Sequence, residues 1–239
     1  MISRRDLSSG LAAALSTLWL PGPARAEASS RLERRLELWR TFARRSDRLL
    51  ARYTARRQSS MLLQPVQVSG TLGFLAPHQL TLRDDGQTGS TTVIDGEAVR
   101  IAPNDGALPT PAVDDPVASP ALAWLRDRLL TLFAPGSLEG FGRGCTMRAP
   151  RGSTPRIELL PQSGSTVRKR IRRVDVTLDP VGGAIVRIQI DEAQGDTLAL
   201  ALSDHRQTVD LEQLRELGLE LSEPGGERRP SQATTRRPD

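Results

Sequence analysis

The chain has 239 residues, with 33 Lys and Arg against 28 Asp and Glu, a net charge of +5, one cysteine, two histidines and 3% aromatics. A lone cysteine excludes an internal disulfide, and two widely separated histidines without a cysteine pair exclude the usual transition-metal ligand sets. All the basic residues but Lys169 are Arg, and so few aromatics leave little for a nucleic-acid base to stack on, so no nucleic-acid partner is expected.

In chain order, Arg4 and Arg5 precede an apolar run from Leu11 to Leu20. Pro21-Gly22-Pro23 breaks any helix, and Ala24-Arg25-Ala26 offers small residues for cleavage. Residues 1–26 therefore read as a signal peptide, which places the mature chain outside the cytoplasm. The apolar run is too short to span a bilayer, which takes about 20 residues. Ser3-Arg4-Arg5-Asp6-Leu7 also resembles the twin-arginine export signal without its usual lysine, so both export routes stay open. No cysteine follows the signal to be acylated. About 213 residues remain, expected to form one domain over 27–221.

Residues 28–47 read as an amphipathic helix: Leu32, Leu36, Trp39 and Ala43 recur every three or four positions. From Leu49 the period becomes two. Strands are expected at 49–55, 66–74, 80–82, 91–94 and 98–101, with turn chemistry at Asp84–Ser90 and a tight Asp95-Gly96 hairpin. Residues 103–120 hold five prolines and read as a loop. Ser119 then caps a helix that begins at Pro120 and ends near Ala134. Leu122, Leu125, Leu129, Leu132 and Phe133 form its apolar stripe, Trp124 lies beside it, and Arg126, Asp127 and Arg128 are expected on the other side. Four more strands follow, at 156–160, 173–178, 184–192 and 197–203. Residues 222–239 read as a disordered tail. Antiparallel strands with segregated helices define an α+β fold.

The chemistry of common enzymes is missing from this pattern. No Gly-x-Ser-x-Gly elbow occurs, no phosphate-cradling glycine loop follows a strand, and His78 and His205 have no evident triad partners. Gly140–Gly144 reads as a flexible turn. Two features remain. Arg168–Arg173 is a basic cluster that either meets an anionic partner or is the solvated end of a strand. The two apolar helices either complete a core or form a lid over an apolar pocket.

One run of residues resembles a known family. Gly70-Thr-Leu-Gly-Phe-Leu-Ala-Pro-His-Gln-Leu80, followed by Thr91-Thr-Val-Ile-Asp-Gly-Glu-Ala-Val-Arg-Ile101, is similar to the LolA-type periplasmic lipoprotein carriers. The stretches Val174–Asp179, Gly183–Glu192, Asp196–Ser203 and the final Val209-Asp210-Leu211 resemble that family's closing strands. The resemblance implies an unclosed, strongly curved antiparallel β-barrel covered by lid helices. It implies no catalytic residues and no cofactor or metal. Its cargo would be a lipoprotein or another acylated lipid, held in an apolar cavity lined or covered by Leu72, Phe74, Leu80, Leu82, Leu122, Leu125, Leu129 and Phe133. It further implies a monomer in transient membrane contact, loaded by inner-membrane release machinery and unloaded to an outer-membrane acceptor. The family has an arginine latch before the strand-ending proline; this chain has Ala76 before Pro77. The other reading of the residues is a non-catalytic periplasmic scaffold with a filled core.

Overall fold

The protein is described by a computed structural model over residues 23–105, 120–134 and 142–219, with the backbone alone at 23–26 and 120–122. The signal segment before Pro23, most of the proline-rich loop and the tail lie outside the described residues. Helix α1 spans Pro23–Ala43. It begins and ends earlier than the apolar period suggests. Proline suits a first helical position, and at the other end Arg44, Arg45 and Ser46 turn the chain into the first strand, with Ser46 Oγ donating to the Phe42 carbonyl.

Five strands follow: β1 Arg48–Gln58, β2 Val66–Leu75, β3 Gln79–Asp84, β4 Ser90–Asp95 and β5 Ala98–Pro103. Helix α2 spans Pro120–Phe133. The second half is β6 Cys145–Arg148, β7 Arg156–Pro161, a 3-10 turn at Val167–Lys169, β8 Ile171–Leu178, β9 Ile185–Glu192, β10 Thr197–Gln207 and a short helix α3, Leu211–Arg215. Strand β6 and helix α3 are too short to show a period, and the sequence reading missed both.

All ten strands join one antiparallel sheet in the order β5-β4-β3-β2-β1-β10-β9-β8-β7-β6. Strands β5 and β6 are its two edges, so the sheet is not closed. The halves meet where β1 pairs with β10, Tyr53 opposite Leu202 and Ala55 opposite Leu200. Alternation sends one set of side chains to each face. Leu49, Tyr53, Leu72, Phe74, Leu80, Val174, Val176, Ile188, Ile190, Leu200 and Leu202 share one buried cluster with Trp39, Leu132 and Phe133 from the helices. That face is the one α1 and α2 cover. Leu50 and Leu75 belong to the opposite face, where they form a second cluster with Val209, Leu214 and Leu219 from the C-terminal segment.

Gly70 shows why a glycine sits mid-strand. A Cβ there would stand 2.2 Å from the Arg83 carbonyl and 2.6 Å from the Tyr53 ring. Tyr53 lies across that bare backbone and donates its hydroxyl to Asp84 Oδ1 at 2.5 Å. Asp84 also accepts from the Ser90 amide and hydroxyl, so one carboxylate fixes the β3–β4 turn. Burial, above all, pushes the Tyr53 hydroxyl far above its ordinary pKa.

Candidate functional site

Seven of the eight residues expected at the apolar site meet on the helix-covered face. Strand pairing sets Leu72 opposite Leu82 and Phe74 opposite Leu80, which gives all four side chains the same parity. Leu72, Phe74, Leu80 and Phe133 are buried. Leu82, Leu125 and Leu129 are half-buried against the same cluster. The Phe74 and Phe133 rings lie 5.9 Å apart, joining β2 to the last turn of α2. The side chain of Leu122 lies outside the described residues.

Helix α2 is held by more than its leucines. The Trp39 indole donates to the Leu132 carbonyl at 2.8 Å, tying the last turn of α2 to α1. Arg126 Nη1 donates to the Glu97 carbonyl at 2.6 Å, tying the helix to the β4–β5 turn. With Ala76 in the latch position, the sequence implies a closure that rests mainly on apolar burial; these two bonds add to it. Nor does Arg128 share the solvent face with Asp127, as the helical period suggested. It is only 4% exposed, with its guanidinium 5.5 Å from the Trp124 ring centroid, and burial lowers its pKa. A long arginine stem can bury along apolar surface where an aspartate cannot.

The basic cluster divides. Arg173 is the hub of a carboxylate network: Nε lies 3.0 Å from Asp175 Oδ2, Nη1 lies 3.4 Å from Glu158 Oε1, and Nη2 pairs with Asp191. Its charge is therefore spent inside the protein and is not available to an outside anion. Arg168 donates to the Arg172 carbonyl. The neighbouring sequence shows only Asp175, two positions along β8; Glu158 on β7 and Asp191 on β9 lie 15 and 18 positions away.

The histidines occupy separate places. His78 Nε2 is 3.3 Å from Asp95 Oδ1 at the β2–β3 turn. His205 Nε2 is 2.8 Å from the Ile185 carbonyl and its ring stands edge-on to Phe42. Among the described residues neither is hydrogen-bonded to a serine, threonine or cysteine side chain. Cys145 is half-buried in β6 and burial raises its thiol pKa. Among the described residues no group of three or more His, Cys, Asp or Glu is placed to hold a metal, and no helix is long and apolar enough to cross a membrane.

Among the described residues the loop between β1 and β2 carries the longest run of exposed apolar side chains; Val181 and Ile101 are exposed singly elsewhere. Met61 and Leu63 are 92% and 105% exposed, and Leu62 and Val66 are exposed beside them.

The described residues form an unclosed antiparallel sheet with helices over one face, an α+β architecture. Similar solved structures include a LolA superfamily protein from Nitrosomonas europaea, 11% identical, with a TM-score of 0.40 over 78% of this chain and 96% of that one. Another is a DUF1329 family protein from Desulfovibrio piger, 8% identical, TM-score 0.44, over 76% and 93% of the two chains. A third is the Mycobacterium tuberculosis lipoprotein LppX, 12% identical, TM-score 0.38, over 76% and 98%. No family model and no curated protein matches the sequence.

Proposed function

We propose that this protein is a non-catalytic periplasmic carrier that binds the acyl chains of a lipoprotein, or of another amphiphilic lipid, and shuttles them toward the outer membrane. The observation that carries the reading is the open sheet whose apolar face is covered by a separate helix. Helix α2 is tied to the sheet by side chains and by one bond to a turn, so it can lift without breaking a strand ladder. Leu72, Phe74, Leu80, Leu82, Leu122, Leu125, Leu129 and Phe133 would then line the space, and each acyl CH₂ moved into it from water gains about 0.8 kcal/mol. The signal-like N-terminus over residues 1–26 supports export, and the exposed Met61-Leu62-Leu63 tip supports transient membrane contact.

A second reading is a scaffold that acts through its surface. Full burial of Leu72, Phe74 and Leu80 on the covered face, and of Phe133 from α2 against them, favours it, since a filled core needs no guest. Mass spectrometry of lipids extracted from protein purified out of its native periplasm separates the two. A bound acyl ligand supports the carrier. Consistent absence of one, with no binding of a fluorescent lipid probe, leaves the scaffold.

A further inference from the structure

We infer that the pocket between the first half of α1 and the 149–155 loop is an anion site that takes a phosphate group. The pocket measures about 290 Å³ and is lined by Arg31, Arg34, Arg35, Gly152 and Ser153 among others. Arg35 is more than nine-tenths buried. Its Nη1 donates to the Arg156 carbonyl at 2.5 Å and its Nη2 to the Pro150 carbonyl at 2.7 Å. Arg31 Nη1 donates to the Ala149 carbonyl at 3.3 Å. Backbone oxygens thus fix two guanidinium groups in place; Arg31 also meets Glu27 at the exposed rim, whereas Arg35 meets no carboxylate among the described residues.

The contrast with Arg173 is direct. That arginine meets three carboxylates; among the described residues Arg34 and Arg35 pair with none. The acids at the margin are otherwise engaged or remote: Glu27 lies 3.7 Å from Arg31 on the exposed rim, Glu37 pairs with Arg40 and Arg44, and Asp175 faces Arg156 and Arg173. Burial lowers the Arg35 pKa, and its neighbours Arg31, Arg156 and Arg34 lower it further. Burying a guanidinium among like charges is unfavourable unless an anion offsets it, and planar guanidinium groups match phosphate oxygens in a bidentate fashion. Nothing lies within 4 Å of where a Gly152 side chain would begin, so the rim is open to a ligand. The inference is independent of the carrier reading: a phosphate on a lipid headgroup and free phosphate present the same chemistry.

The test is side-chain NMR of the arginine N–H groups in the full chain. One arm titrates inorganic phosphate. A second titrates dihexanoyl phosphatidic acid below its micelle concentration, with dihexanoyl phosphatidylcholine as a third. Each is run against chloride at equal ionic strength. Saturable shifts at Arg34 and Arg35 with phosphate or phosphatidic acid are expected, weakened about tenfold by Arg34→Gln, whose exposed side chain leaves folding intact. Saturation by phosphate alone assigns a soluble anion; saturation by phosphatidic acid alone assigns a headgroup. Shifts that equal those in chloride, or that Arg34→Gln leaves unchanged, overturn the inference and leave the carrier proposal standing.

Discussion

The indole of Trp39 on α1 donates its N–H to the carbonyl of Leu132, 2.8 Å away in the last turn of α2. Residues 93 positions apart in sequence thereby join the two helices over one face of the sheet. Trp39 is fully buried, so the bond is sheltered from water and the carbonyl has no solvent to fall back on. Trp39→Phe is expected to destabilise the protein by about 1–3 kcal/mol, from the lost bond and the unmet carbonyl. Urea denaturation measures it, and hydrogen exchange should speed up in the last turn of α2 before it does in β1 or β10. Equal acceleration everywhere would mean the bond is not specific to the cover.

Leu125 and Leu129 are half-buried against the core, where their neighbours Leu132 and Phe133 are buried. Leu125→Asp or Leu129→Asp should therefore weaken binding of a fluorescent fatty-acid probe while far-UV circular dichroism still reports the sheet. Added lipid should protect the 120–134 amides. Identical exchange with and without lipid would make α2 fixed core.

Gly70 admits no side chain. Gly70→Ala puts a methyl group against the Arg83 carbonyl as well as the Tyr53 ring, and should destabilise by about 2 kcal/mol or more. Tyr53→Ala added to it should relieve only part of that loss, because the carbonyl is the nearer clash. Full rescue in a double-mutant cycle would place the strain in the ring alone.

His205 is half-buried, and burial holds its pKa below the ordinary value near 6.5. The unfolded chain then binds that proton more readily than the folded one. Stability is complete above the unfolded pKa and falls as pH drops through it toward the folded value. The melting temperature should decline between about pH 7 and pH 5, and His205→Gln should flatten that slope. An unchanged slope would assign it to other groups.

The β1–β2 tip presents Met61 and Leu63 almost fully to solvent. If the carrier reading holds, Met61→Ser with Leu63→Ser should cut co-flotation with phospholipid vesicles about tenfold, the equivalent of 1.4 kcal/mol. Unchanged flotation would remove this loop from membrane contact.

The sequence by itself determined the elements. Nine of the ten strands and the two long helices follow from period and turn chemistry, because alternation and helical spacing are local and survive without tertiary context. Positions 72, 74, 80 and 82 share a face for the same reason: two antiparallel strands joined by a turn at Ala76, Pro77 and His78 keep their parity. Tertiary structure alone decided what crosses the sheet. The β1–β10 pairing brings together residues more than a hundred positions apart, and no local pattern encodes it. Three acids on three strands neutralise Arg173, while Arg35 finds only carbonyl oxygens. Arg128 goes inward because Trp124 offers its ring there. Trp124 is one helical turn from Arg128 and Asp175 two positions from Arg173, but Glu158, Asp191 and the carbonyls that hold Arg35 are remote in the chain; charge compensation depends on distance in space, which sequence spacing does not carry.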